Sequence, residues 1–118
     1  MIKTYNGSKL GITSSHKKAL VINLSVALLQ HEQIVTTLSK AKELLKYSEK
    51  IITRAKKNNL QAIRLVTKKL NNNKQLMKKI FTVLVPRYET RDGGYIKIVR
   101  SETRRGDSAQ LVVVSLIK

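Results

Sequence analysis

The spacing of apolar residues changes along this chain, and the changes mark out its elements. Between Lys40 and Lys57, Ala41, Leu44, Leu45, Ser48, Ile51, Ile52 and Ala55 recur at steps of three and four. That is the period that lines one face of an α-helix. Ser39 is placed to cap its start, while Glu43 in the first turns and Lys56 and Lys57 at the end suit the helix dipole. An earlier helix, capped by Ser14 or Ser15, runs to His31, with Leu20, Leu24, Ala27, Leu28 and His31 as its stripe, widened by Val21 and Leu29. The β-branched run Gln33–Leu38 between these helices predicts a short strand.

Downstream, Asn58 and Asn59 break the pattern, and a third helix follows over Leu60–Leu70 with Ala62, Ile63, Val66 and Leu70 on one face. The triplet Asn71–Asn73 ends it and caps a fourth, marked by Leu76, Met77, Ile80, Phe81 and Leu84 and stopped by Pro86. Met77 and Phe81 read as core residues. Arg87–Gly94 is a loop whose glycine pair supplies positive φ or close backbone approach. Tyr95–Ser101 and Leu111–Ile117 form a hairpin across the polar turn at 102–110, and with the strand at 33–38 they make a small sheet. The expected fold is of the α/β class, α+β in type: one domain over 14–118, in the order α-β-α-α-α-β-β, with helices against a three-stranded sheet. Residues 1–13 carry neither period and read as an irregular arm. A frayed terminus and a segment ordered by RNA phosphates, through Lys3, Lys9, Tyr5 and Asn6, both fit it.

Charge narrows the function. The 24 Lys and Arg residues face 7 acids over 118 positions, giving a formal net charge of +17. A small domain repels itself at that charge, so an anionic partner is expected. The helix at 40–57 sets Lys42, Lys46, Lys50, Arg54 and Lys57 opposite its apolar stripe, interrupted by Glu49. Arg87, Arg91, Arg100, Arg104 and Arg105 cluster in or beside the two C-terminal loops, with Tyr88 and Tyr95 interleaved. Guanidinium forks suit phosphate oxygens, and tyrosine rings offer stacking surfaces for bases. On this reading Arg87, Arg91 and Arg105 serve binding and the fold does not need them.

Other chemistry has little support. The absence of cysteine excludes disulfides, thiolate catalysis and CxxC zinc sites. His16 and His31 lack the partners of an assembled nucleophile and base, and each has a simple role in capping or packing, so no enzymatic activity is expected. No phosphate-cradling GxxxxGK loop occurs. Arg105-Gly106-Asp107, an adhesion tripeptide in other settings, reads here as a hairpin turn. No apolar run approaches the roughly 20 residues of a membrane span. A DNA-binding architectural or regulatory protein stays open as an alternative, although a polar face made almost wholly of lysine holds phosphates and reads little sequence.

The series Ser14-Ser15-His16, His31-Glu32 with Ile34 and Thr36-Thr37, Lys40-Ala41-Lys42-Glu43-Leu44, Pro86-Arg87-Tyr88, Arg91 with Gly93-Gly94-Tyr95, and Arg105-Gly106-Asp107 before Ala109 resembles the family of bacterial-type large ribosomal subunit protein seventeen. The resemblance implies a non-catalytic rRNA-binding constituent of the large ribosomal subunit, with neighbouring large-subunit proteins as further partners and the ribosome as its place. It implies no membrane partner, no small-molecule substrate, no metal and no cofactor. By matching positions, Ser14, Ser15, His16, Lys40, Lys42, Arg87, Arg91, Gly93, Gly94, Tyr95 and Arg105 inherit an rRNA-contact role. Lys17 and Lys18 join them by position and charge, Arg104 by its place in the arginine cluster, and Lys3 and Lys9 through the arm. Where the family has Asn-Ala-Pro after Gly-Asp, this chain has Ser108-Ala109-Gln110, which implies a looser turn into the last strand.

Overall fold

Helix ends in this chain are set largely by asparagine and threonine, and they divide it cleanly. A computed structural model describes residues 11–118; the arm up to residue 10, with Lys3 and Lys9, lies outside the described residues. Helix α1 spans Ser14–His31 and α2 Leu38–Ala55, with strand β1, Gln33–Thr37, between them. Helix α3 spans Leu60–Lys69 and α4 Lys74–Lys79, and strands β2, Ile96–Thr103, and β3, Gln110–Leu116, close the chain. Asn59 Oδ1 accepts from the Ala62 amide at 2.8 Å and Asn73 Oδ1 from the Leu76 amide at 3.1 Å, so each supplies an acceptor to the otherwise unpaired first turn. Asn58, Asn71 and Asn72 take positive φ, which their short polar side chains tolerate.

Three helix termini differ from expectation. Thr13, not Ser14 or Ser15, caps α1, its Oγ1 accepting from the His16 amide at 3.3 Å. Helix α2 begins at Leu38 after Thr37, so Ser39 lies inside its first turn and Leu38 belongs to the helix, not to the strand. Pro86 does not stop the fourth helix. Helix α4 runs into a wider π-helical turn, Ile80–Leu84, and a last turn, Val85–Arg87, carries the proline inside it. A normal turn would drive the pyrrolidine ring into the carbonyl four residues back, and the one-residue slip of a π turn changes that alignment.

The stripe on α2 is the centre of the core. Ala41, Leu44, Ser48, Ile51, Ile52 and Ala55 are all buried, with Leu45 packed at the margin. Burial of an apolar side chain contributes about 1.5–3 kcal/mol, so these positions fix how the helix is rotated. Helix α1 carries apolar residues well beyond one stripe, and its buried face overlaps the expected one at Val21, Leu28 and Leu29 but is rotated towards Ser25. Val21, Ser25, Leu28 and Leu29 turn inward, while Leu20, Leu24 and Ala27 are half-buried and His31 is exposed. The Ser48 hydroxyl donates to that of Ser25 at 3.2 Å, satisfying both where α1 and α2 meet. On α3, Ala62 and Val66 are buried, but Ile63 is exposed and not part of the core.

The sheet is antiparallel in the order β1-β3-β2. Val112, Val114 and Leu116 of the central strand β3 are buried, and the intervening positions are half-buried, so one face of the sheet joins the core. Strand β2 runs further than expected, and its pairing with β3 slips between Arg100 and Thr103. The turn beyond is closed, not loose. The Arg104 amide donates to the Ala109 carbonyl at 2.8 Å, and the Ser108 amide to the Arg104 carbonyl at 2.8 Å. Ser108 stands at φ 58°.

Candidate nucleic-acid interface

Burying the α2 stripe turns its lysines outward. Lys42, Lys46 and Lys50 are exposed on α2 and Lys57 just beyond it, with Arg54 half-buried among them. Positions four apart rise about 6 Å along a helix, so these cations form a ridge of regularly spaced charge. Glu43 lies beside the ridge, 3.6 Å from Lys17 of α1 and 3.9 Å from Lys46. Ion pairs of this kind at a surface hold side chains in place more than they stabilise the fold.

On one flank the ridge borders an open groove of about 690 Å³, whose floor includes Leu45 and whose far bank is Asp92 and Gly93. That bank is held from beneath. The Lys56 ammonium donates to the Arg91 carbonyl and, at 2.9 Å, to the Tyr95 hydroxyl, which donates in turn to the same carbonyl at 3.2 Å. The Tyr88 and Tyr95 rings meet at 5.1 Å with a 52° tilt. The Tyr88 hydroxyl donates to the Ile117 carbonyl, tying the loop to the end of the sheet. Gly94 has φ 65°, a conformation that an L side chain would strain although the space around it is open.

This arrangement sorts the residues picked out by sequence. Ser14, Ser15, His16 and Lys18 are exposed at the start of α1. Thr13 Oγ1 caps the helix and lies 3.4 Å from the Ser15 hydroxyl. Ser14, Lys17 and Lys18 meet Lys46 and Lys50 on the flank of the ridge opposite the groove, so the α1 start and the glycine loop share one continuous face. Lys42 is exposed, Lys40 half-buried, and Arg91, Gly93 and Gly94 lie exposed in the loop.

Other positions have different work. Tyr88 and Tyr95 are 1% and 0% exposed, so neither ring offers a face to a base. Their packing shapes the loop that was expected to display them. Arg87 is not free for an outside ligand either. Its Nη1 lies 2.8 Å from Glu32 Oε1, which Lys79 also approaches at 3.8 Å. Arg104 is held at the hairpin tip by Asp107, with Nε and Nη2 donating at 2.9 and 2.6 Å. These bonds, and the Ala109 amide, hold the Asp107 carboxyl down at about 2, below the usual carboxylate range. Arg105 stands exposed beside them, and neither arginine borders the groove.

Sequence reading missed Lys56 as the anchor of the glycine loop, because its partners lie 35 and 39 residues away. It placed Lys46, Lys50 and Lys57 on the charged face but did not single them out as a site. No helix among the described residues is long and apolar enough to cross a membrane.

The family described as Ribosomal protein L17 matches residues 20–117. The large ribosomal subunit protein bL17 of Endomicrobium trichonymphae is 59% identical over 117 residues, which cover 99% of each chain. That of Zymomonas mobilis is 50% identical over 94% of this chain and 79% of its own. That of Campylobacter concisus is 45% identical over 92% of each.

Proposed function

Because the chain belongs to the ribosomal protein L17 family, we propose that it is a non-catalytic constituent of the large ribosomal subunit whose α2 ridge and glycine loop bind the backbone of large-subunit rRNA. The observation that carries the RNA contact is the ridge itself. Lys46, Lys50, Arg54 and Lys57, with Glu49 among them, line a groove about 690 Å³ in volume, and its opposite bank, Asp92 and Gly93, is fastened by Lys56, Tyr88 and Tyr95. Ammonium groups at intervals of about 6 Å attract successive phosphates without asking for a particular base. A reader of duplex sequence would instead present Asn, Gln and Arg from a helix to base edges, and the outer face of α2 is mainly lysine.

Ser14, Ser15, His16, Lys17, Lys18, Lys40, Lys42, Arg91, Gly93 and Gly94 border or extend this face and are assigned to rRNA contact, and Arg105, exposed at the hairpin tip away from the groove, is assigned to it by its match to the family. Tyr95 and Arg87 contribute by shaping and fastening it, and neighbouring large-subunit proteins are its other partners. The test is sedimentation of the tagged protein from a cell lysate. It should travel with large subunits at moderate salt and leave them in high salt, because phosphate contacts weaken as counterions return. A protein found free of subunits at moderate salt would overturn the reading.

A further inference from the structure

We propose that a cleft between α1, α2 and the end of α3 is a second RNA site on this protein, a seat for one phosphodiester of the strand that crosses the α2 ridge. The proposal rests on the rRNA reading above and adds a place and a residue set to it. The cleft is open-sided, about 390 Å³ in volume, and bounded by Lys17 and Lys18 of α1, Lys46, Tyr47 and Lys50 of α2, and Lys69 of α3. Small-molecule sites run from roughly 300 to 1,000 Å³, so the cleft has room for a phosphate with its adjoining sugar. Glu43 is the one carboxylate in its lining, and it sits against Lys17 and Lys46. Among the described residues no carboxylate pairs with Lys18, Lys50 or Lys69.

The placement of Lys69 is the telling feature. The Tyr47 hydroxyl donates to the Lys69 carbonyl at 2.8 Å, which fastens the last turn of α3 to α2. The Lys69 ammonium lies 5.5 Å from the centre of the Tyr47 ring. Three helices thus deliver like charges to one small space where each raises the cost of the others. Burial lowers the Lys69 pKa from its ordinary value, and Arg54, Lys50 and Lys18 lower it further by repulsion. A bound anion would relieve that repulsion. Lys46 and Lys50 border this cleft and the groove alike, so a strand lying over the ridge can place phosphates on both flanks.

The experiment compares Lys18→Gln with Lys69→Gln, made together, against a control of equal charge change, Lys68→Gln with Lys74→Gln. The control residues are exposed on α3 and α4 and border neither depression. Binding of each full-length protein to transcribed large-subunit rRNA is measured by filter retention across a salt series. The cleft variant should lose about tenfold in affinity at physiological salt and reduce the salt slope by about one to two, in proportion to phosphate contacts removed. The control should change by no more than a few-fold. Equal losses in the two variants overturn the cleft, whereas failure of the unaltered protein to bind rRNA overturns the functional reading itself.

A second measurement needs no variant. Acylation of the unaltered protein, read by mass spectrometry, should modify Lys69 readily, and rRNA should protect it where inorganic phosphate of equal phosphate concentration does not. Absence of protection by rRNA, or equal protection by inorganic phosphate, overturns the assignment.

Discussion

Arg87→Ala separates recognition from packing at the position where sequence and structure disagree most. The side chains of Arg87 and Glu32 are each 24% exposed, and their charged groups touch at 2.8 Å. Exposed ion pairs contribute about 0.2–1 kcal/mol, and breaking a buried one costs about 3–5 kcal/mol. Partial exposure, and the Lys79 ammonium left 3.8 Å from Glu32, place this loss near the lower range, at about 1–2 kcal/mol. For a chain of this length that lowers the Tm by roughly 4–8 °C. Thermal unfolding followed by circular dichroism reads the loss, and a double-mutant cycle with Glu32→Gln should return a coupling of about 1 kcal/mol. Affinity for rRNA, measured well below the Tm, should change less than threefold. An unchanged Tm together with a tenfold loss of affinity would show that Arg87 meets RNA and that the Glu32 contact is incidental. Arg91→Ala with Arg105→Ala, which leaves Arg87 in place, is the variant expected to weaken binding without touching stability.

Two further outcomes follow from the loops. Tyr88→Phe removes the hydroxyl that donates to the Ile117 carbonyl from a residue only 1% exposed, and should cost about 1–2 kcal/mol in chemical unfolding. Burial pushes the Tyr88 phenol above its ordinary value, so the folded state favours the neutral form. The stability this gives is present below about pH 10 and lost as pH rises further, and the alkaline decline should be shallower in Tyr88→Phe; identical declines would count against the assignment. The Asp107 carboxyl is held down at about 2, so the order it gives the hairpin tip is present above its unfolded value near 4 and disappears as pH falls through about 2. Asp107→Asn should accelerate hydrogen exchange at the Ala109 amide, which Asp107 Oδ1 accepts at 3.2 Å, and unaltered exchange there would refute this role.

What could be read in advance depended on how far away the deciding partner lay. The α2 stripe was legible because its neighbours in space are three and four residues apart, and every position but Leu45 came out buried. The asparagine boundaries were legible because caps and positive φ are local chemistry. Helix α1 was legible only in part: Val21, Leu28 and Leu29 are buried as expected, but apolar residues extend beyond the stripe, and contact with Ser48, 23 residues downstream of Ser25, sets how far the inward side is rotated. Pro86 misled because a π turn upstream alters the register that makes proline a helix breaker. The tyrosines and Arg87 of the C-terminal loop looked like ligands because tyrosine between arginines suits base stacking and core packing equally. Partners at Ile117, Lys56 and Glu32 decide the matter.

The same separation explains how so basic a chain builds an interface without giving up its core. Helix α2 presents a small residue to the interior at every seventh position, Ala41, Ser48 and Ala55, all buried. Small side chains let neighbouring helices come close, and the Ser48–Ser25 bond marks where α1 does so. Close approach carries a consequence for charge, because it brings Lys17 and Lys18 to the same cleft as Lys46 and Lys50. Glu43 offsets part of that accumulation, and the rest is borne by the apolar burial on the other side of the helix. The fold thus stores repulsion on the face where a polyanion can relieve it. On the far bank the buried tyrosines and Lys56 fasten the glycine loop opposite the ridge. On the rRNA-binding reading proposed above, fixed spacing between ridge and loop turns diffuse attraction by +17 charges into a defined seat for the RNA backbone.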